Sequence, residues 1–110
     1  MRTGFAHPTR SYNGLRLAHA LAKRDDEQVR VFLLADAVTC ALAGQQTPNG
    51  YYNLERMLAA VVSRGVAVGL CDTYMDARAI HEAQIVDGAH RSTLDELTDW
   101  TVWADKVITF

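Results

Sequence analysis

The chain has 110 residues, and its 13 acidic and 11 basic side chains give it a formal net charge of −2. Hydrophobic residues make up 49% and charged residues 22%, as in an average globular protein, which excludes a disordered or collagen-like chain. Nucleic-acid affinity depends on clustered cations, and no Lys or Arg run occurs, so direct RNA or DNA binding is disfavoured. This length predicts one domain over residues 1–110.

Cysteine content and hydropathy predict a cytoplasmic protein. Two cysteines, Cys40 and Cys71, are too few for the disulfide framework of a small secreted domain, and nothing supports a bond between them. No apolar run approaches the roughly 20 residues of a membrane helix, and MRTGFAHPTR lacks a signal-peptide core. We therefore expect reduced thiols and no membrane association.

The first half of the chain alternates helical and strand patterns. Apolar residues at helical spacing predict a helix over residues 12–24, with Ser11 as its cap. The run VRVFLLA, residues 29–35, is typical of a strand buried on both faces. Asp36 is placed to cap a second short helix that extends to Ala43 and stops at Gly44.

The second half repeats the alternation after a turn-rich loop, QQTPNGYY. Asn53 caps a helix with one apolar stripe, and VAVGLC, residues 66–71, predicts a second buried strand. The pattern becomes helical again from Asp72. Thr93 with Glu96 forms a capping box for the last helix, and KVITF, residues 106–110, predicts a third strand.

This order of elements predicts the α/β class, a three-layer α/β/α sandwich around a mostly parallel sheet. Three strands make a thin sheet for two helical layers. No convincing strand precedes the first helix, since residues 1–5 form at most a stub. We therefore expect a first strand that is shortened or missing, or another subunit that covers the gap.

Cys71 is the strongest candidate for chemistry. Ligands of parallel α/β sheets bind at the carboxyl ends of the strands, where residues 8–11, 35–36 and 71–73 are predicted to lie. A helix that starts at Asp72 and Thr73 directs backbone N–H groups toward Cys71, and both they and the helix dipole favour the reactive thiolate. Arg78 would add a positive charge if it folds back. The alternative is that Cys71 is only a small buried hydrophobe.

Other reactive side chains have plainer interpretations. Cys40 lies among apolar residues and is expected in the core. The four histidines show no ligand spacing, so no metal site is predicted; His7 and His81, near site loops, are expected to be solvated. Without a glycine-rich phosphate loop or a GxSxG motif, no cofactor is predicted. Trp100 and Trp103 are expected in the core or an interface.

An aromatic cluster ends the turn-rich loop. Its members are Tyr51, Tyr52, Asn53, Glu55 and Arg56. Aromatic and Arg side chains are enriched at interfaces, so this cluster is either a subunit contact or a lid over the cysteine. The alternative is a local anchor that packs on its own helix.

Four segments carry a family resemblance. They are RSYNGLRLAHALAKRD, VRVFLLADAVTCALAGQQTPNGYYNLERML, RGVAVGLCDTYMDARAI and RSTLDELTDWTVWADKVITF, nearly the whole chain after Arg10. Together they resemble the DsrE/DsrF-like sulfur-relay family, in its small bacterial branch. The resemblance implies an α/β sandwich around a parallel sheet, assembled as dimers, trimers or hexamers. It also implies sulfur transfer as a persulfide on a strand-end cysteine, which corresponds to Cys71.

The sequence departs from this branch in its second motif. Relatives usually read CGTCMDARG where this chain reads CDTYMDARAI. Asp72 and Ala79 replace glycines, and Tyr74 replaces the second cysteine. Loss of the second thiol removes a resolving cysteine but leaves a one-cysteine relay possible. Asp72 places a negative charge beside the thiolate, although a carboxylate suits a helix N-terminus.

The resemblance favours a cytoplasmic persulfide carrier that transfers sulfur through Cys71 between donor and acceptor proteins, as a homo-oligomer without metal or cofactor. Asp72, Thr73, Arg78 and Asp36 would support the thiolate, and the Tyr51 and Tyr52 loop would shield it. The alternative is a non-catalytic oligomeric binding or regulatory protein on the same scaffold. Nucleotide or flavin binding has only topology in its favour.

Overall fold

The computed structural model describes residues 8–45 and 53–110. Over these residues the chain alternates strands with helices. The elements in chain order are α1 (Pro8–Ala22), β1 (Arg30–Leu33), a 3₁₀ helix (Ala35–Ala41), α2 (Leu54–Ser63), β2 (Ala67–Cys71), α3 (Asp72–Ala77), a 3₁₀ turn (Glu82–Gln84), β3 (Ala89–Ser92) and α4 (Leu94–Trp103). The expected first-strand stub, residues 1–5, lies outside this part of the chain.

The strands form one parallel sheet in the order β1-β2-β3, which confirms the predicted α/β class. The middle strand β2 pairs with both neighbours. Gly69 lies opposite Phe32 on one side and His90 on the other, and Cys71 lies opposite Ser92. The sheet therefore places Cys71 at the carboxyl end of its central strand.

The predicted third strand at residues 106–110 is wrong. The third strand is β3, and residues 106–110 contain no strand. β3 was missed because its four residues, AHRS, contain no apolar run. The C-terminal residues instead return to α1, where the Phe110 ring lies so close to Gly14 that an added Cβ would be 3.0 Å from it.

One apolar cluster lies between the sheet and the helices α1 and α2. Val68 and Leu70 of β2 are fully buried in it. The other members include Leu15 and Ala18 of α1, Leu58 and Val61 of α2, Val38 and Cys40 of the 3₁₀ helix, and Met75 of α3. The apolar residues predicted at helical spacing in α1 and the apolar stripe predicted for α2 therefore face the sheet, as expected of amphipathic helices.

The opposite face of the sheet carries α4. Side chains alternate between the two faces of a strand, so Phe32 and His90 face away from the Val68 and Leu70 cluster. The Trp100 ring meets Phe32 edge-on at 6.0 Å between centroids and His90 at 6.1 Å. The Arg30 guanidinium lies 3.8 Å from the Trp103 ring centroid. These contacts complete the third layer of the sandwich.

Two predicted helix caps are confirmed. The Asn53 side chain accepts the Arg56 backbone N–H at 2.9 Å, and Thr93 Oγ1 accepts that of Glu96 at 3.2 Å. The Glu96 carboxylate, however, does not complete a capping box. It accepts the buried Ser92 hydroxyl and faces His90 Nε2 instead, so it joins α4 to β3.

Two other predicted caps are wrong. Ser11 lies inside α1, which begins at Pro8, because proline is tolerated in the first turn of a helix. Asp36 lies inside the 3₁₀ helix, whose N-cap is Leu34. The chain turns sharply between Leu34 and Asp36, because Ala35 has a left-handed φ of 52°.

The end of α3 requires a second left-handed alanine. Ala79 has a φ of 53°, and its N–H donates to the Asp76 carbonyl at 3.1 Å. The Ile80 N–H reaches back to the Met75 carbonyl at 2.9 Å, and Ile80 is buried. This is the Schellman arrangement, in which glycine is strongly preferred at the left-handed position.

We expect Ala79→Gly to raise the free energy of unfolding by about 0.5–1 kcal/mol. Relief of the left-handed strain, about 1–2 kcal/mol, exceeds the entropy that glycine adds to the unfolded chain, about 0.4–1 kcal/mol. The matched control is Ala77→Gly within α3, which should lower stability by roughly 0.5–1 kcal/mol. Denaturant unfolding measures both, and equal losses in the two variants would contradict this account of Ala79.

The Glu96 contact generates a pH-dependent prediction. Hydrogen bonds from Ser92 and then His90 lower the pKa of Glu96, so its stabilising contribution is present above about pH 4.3, its ordinary pKa, and lost as pH falls through the lowered value. Glu96→Ala should lower the free energy of unfolding by about 1–2 kcal/mol at pH 7, because the Ser92 hydroxyl loses its acceptor.

The deficit of Glu96→Ala should shrink as pH falls through the lowered pKa of Glu96, where the wild-type carboxyl itself becomes protonated. Asp99→Ala, elsewhere on α4, is the control and should change stability little at either pH. Unfolding curves at pH 7 and near pH 3 provide the measurement, and a deficit that stays constant or grows on acidification would refute the contact's role.

Candidate functional site

Cys71 joins the central strand to the helix that follows it. It is the last residue of β2 and the N-cap of α3, and its side chain makes no capping hydrogen bond. The residue is 8% exposed and carries a free thiol. Although buried, it is not part of the main apolar cluster, so its position is not explained by packing in the core alone.

Cys40 has the opposite setting. It lies on the 3₁₀ helix, is 2% exposed and belongs to the main apolar cluster. Burial raises the pKa of its thiol, and a hydrogen bond with Ser11 opposes that effect. The expectation of a core residue is confirmed, and both cysteines are free thiols.

Asp72 and Thr73 form the first turn of α3. Asp72 Oδ1 accepts the Thr73 backbone N–H at 2.7 Å and lies 3.4 Å from the Thr73 hydroxyl. The carboxylate therefore already uses one amide at the start of this six-residue helix. In the described structure Asp72, and not the Cys71 side chain, accepts a hydrogen bond from the first turn of the helix.

The structure brings the predicted residues Arg78 and Asp36 together. The Arg78 guanidinium donates from both Nε and Nη2 to Asp36 Oδ1, with the Nε distance at 3.0 Å. It also lies 5.4 Å from the centroid of the Tyr74 ring. The positive charge of Arg78, expected to assist the thiolate, is thus paired with a carboxylate from the loop that follows β1.

A second ion pair lies on the other side of α3, and sequence reasoning missed it. Arg91 Nη2 donates to both carboxylate oxygens of Asp76 at 2.9 Å. The hydrogen bond from Arg91 lowers the pKa of Asp76, and the same bond raises the pKa of Arg91. Asp76 belongs to the MDAR motif, but its partner is on β3, the strand that the sequence did not reveal.

A polar group beside Cys71 was also missed. Ser92, opposite Cys71 in the sheet, is buried and donates its hydroxyl to Glu96. His90 faces the same carboxylate oxygen. Because both Ser92 and His90 point to the carboxylate, this group orders α4 on the sheet and is not arranged as a nucleophile with its base.

The aromatic loop is only partly within the described residues. Tyr51 and Tyr52 lie outside them, as does His7. Asn53 serves as the cap of α2, and Arg56 is exposed. The neighbouring Glu55 carboxylate accepts the backbone N–H groups of Gly44 at 3.0 Å and Gln45 at 2.7 Å, which ties the start of the loop to α2.

Other features of the surface lie away from Cys71. His81 is exposed and caps the 3₁₀ turn. A cavity of about 410 Å³ opens at the amino ends of β1 and β2, opposite the candidate site, and its lining includes Arg30, Arg64 and Glu27.

Within residues 8–45 and 53–110, no three His, Cys, Asp or Glu side chains are grouped to hold a metal ion, and no helix could cross a bilayer.

Comparisons with known proteins agree with this architecture. A profile of the DsrE/DsrF-like family matches residues 1–110. Protein YchN of Escherichia coli K12 is 44% identical over 100 residues, which cover 90% of this chain and 85% of that protein. The E. coli YchN crystal structure superposes with a TM-score of 0.83 over the same shares.

A more distant relative matches a similar length of the chain. The uncharacterized protein MK0008 of Methanopyrus kandleri is 31% identical over 101 residues, which cover 92% of this chain and 82% of that protein. The residues that carried the resemblance therefore lie within the family match, which spans the described fold. The chain belongs to the DsrE/DsrF-like family.

Proposed function

We propose that the protein is a sulfur-relay protein that carries sulfane sulfur as a persulfide on Cys71. The observation that supports this proposal is the position of Cys71 at the carboxyl end of the central strand, where parallel α/β sheets bind their ligands. The free thiol lies beside the backbone amides that open α3 and apart from the main apolar cluster.

The transfer needs no oxidant and no metal. The Cys71 thiolate attacks the outer sulfur of a donor persulfide, a new S–S bond forms at Cys71, and the donor leaves as a thiolate. An acceptor thiolate then attacks the outer sulfur held by Cys71, and Cys71 is released as a thiolate. Each step exchanges one S–S bond for another, as in thiol–disulfide exchange.

The neighbouring residues have supporting roles in this proposal. Asp72 and Thr73 order the first turn of α3, which begins immediately after Cys71. Asp36 and Arg78 fix the other end of that helix. The lid role is assigned to Tyr51 and Tyr52, which lie outside the described residues, and to Asn53 and Arg56, which follow them in the chain.

The proposal extends to location and partners. Donor and acceptor are proteins with cysteine persulfides or thiols, and the relay takes place in the cytoplasm, where thiols stay reduced. The protein acts as a homo-oligomer. Several large apolar side chains at the C-terminal end of the described fold are largely exposed, as expected for an interface; they are Leu94, Val102, Val107 and Ile108.

A non-catalytic binding or regulatory role on the same scaffold is the second candidate. Two observations favour it: Tyr74 stands where the family usually has a second cysteine, and Cys71 is only 8% exposed. A protein of this kind would retain the fold and the oligomer but would take up no sulfur.

The relay predicts a specific mass gain. After incubation with a persulfide donor and removal of excess donor, intact-mass spectrometry should show the wild type heavier by one sulfur atom. Cys40→Ser should show the same gain, and Cys71→Ser should show none. A gain that persists in Cys71→Ser, or no gain in the wild type, would exclude Cys71 as the carrier.

The oligomer predicts a sedimentation result. At micromolar concentration the protein should sediment as a species larger than the 12.2 kDa chain. Val107→Asp with Ile108→Asp should shift it toward monomer, because charges would replace exposed apolar side chains, whereas Thr98→Asp on α4 serves as a surface control. A wild type that is entirely monomeric would rule out the oligomer.

A further inference from the structure

The Cys71 side chain lies on the face of the sheet that carries α4. A Cβ added to Gly69 would lie 3.1 Å from Ser92 Cβ and 3.3 Å from Phe32 Cδ2, so position 69 faces the layer of α4. Side chains two residues apart on a strand share a face, and Cys71 therefore points the same way as position 69. Cys71 is also paired with Ser92 across the sheet. The thiol and the Ser92 hydroxyl thus occupy adjacent positions of one face.

This face holds a carboxylate close to the position of the thiol. The buried Ser92 hydroxyl donates to Glu96 Oε1, which also faces His90 Nε2. Neighbouring strands are about 4.8 Å apart and a hydrogen bond adds about 3 Å, so the carboxylate lies within about 8 Å of the Cys71 side chain. The Debye length at about 0.15 M salt is also about 8 Å, so the charge of Glu96 acts on a molecule that approaches the thiol.

The described cations do not offset this charge at Cys71. The sequence of α4, LDELTDWTVW, contains no Lys or Arg, and two carboxylates in its first turn oppose the positive end of the helix dipole. Arg30 is on the same face, but it begins β1 opposite Ala67, four residues or about 13 Å before Cys71. Arg78 and Arg91 are each bound to a carboxylate. An approaching anion therefore meets a negative charge on the face that bears the thiol.

We propose that Glu96 is a specificity-determining residue of the relay: its charge disfavours anionic sulfur donors and favours a protein persulfide with neutral or basic surroundings. Small donors such as thiosulfate, whose outer sulfur would be transferred with release of sulfite, belong to the disfavoured class. Glu96 acts through its charge and takes no part in the exchange of S–S bonds. The inference rests on the proposed function for its purpose, but the charge selectivity is measurable without sulfur transfer.

The test compares two alkylating reagents of nearly equal size in the full-length protein, the neutral iodoacetamide and the anionic iodoacetate. Both react with the thiolate. The ratio of their rates at Cys71, taken at a single pH, therefore cancels the thiolate fraction and the exposure of the thiol and retains the effect of nearby charge. Peptide mass spectrometry separates Cys71 from Cys40, and free 2-mercaptoethanol provides the intrinsic ratio of the two reagents.

The wild type should prefer iodoacetamide more strongly than 2-mercaptoethanol does. Glu96→Gln should lower the ratio at Cys71 roughly two- to fourfold at about 0.01 M salt, the effect of one charge about 8 Å away at an effective dielectric constant of about 40–80. The variant keeps an oxygen that can accept the Ser92 hydroxyl. At about 1 M salt, where the Debye length is about 3 Å, the ratios of the two proteins should converge.

The matched control is Asp99→Asn, which removes one carboxylate from an exposed position of the same helix and should change the ratio much less. Equal ratios in the wild type and Glu96→Gln at low salt would overturn the inference, as would an equally large fall in Asp99→Asn. Neither result depends on sulfur uptake. The charge selectivity can thus fail while Cys71 still takes up sulfur, and it can stand if Cys71 takes up none.

Discussion

The parallel pairing of β2 with a strand on each side is the constraint on which the rest of the structure depends. It buries Val68 and Leu70 under α1 and α2, and it presents Phe32 and His90 to α4. Because all three strands run in one direction, their carboxyl ends share one edge. Cys71 lies at the centre of that edge, and the ion-pair partners of α3 come from the two flanks.

The described residues around Cys71 provide less positive charge than we expect from the position of Cys71 at a strand end. Asp72 uses an amide at the start of α3, Asp36 neutralises Arg78, and Asp76 neutralises Arg91. In the proposed relay, neither Arg78 nor Arg91 is therefore an unpaired cation available to the thiolate. The left-handed conformation of Ala79 adds strain at the far end of the same helix.

Much of the fold could be predicted because its signals are local. The apolar runs of β1 and β2, the cap at Asn53 and the apolar stripe of α2 each follow from a few adjacent residues, and all are present. β3 could not be predicted, since a short strand with His and Arg has no hydrophobic pattern. The contact of Arg78 with Asp36 spans 42 positions in sequence, so no local pattern could reveal it. The Ser92 and Arg91 contacts were hidden for a different reason, because both residues belong to β3.

The central claim is that the sulfur on this protein resides at residue 71. The most direct measurement treats the protein with a persulfide donor, blocks it with iodoacetamide and identifies the modified peptides by tandem mass spectrometry. The account predicts an additional sulfur between the Cys71 side chain and the blocking group, with Cys40 unmodified by sulfur. Additional sulfur at Cys40, or at neither cysteine, would contradict it.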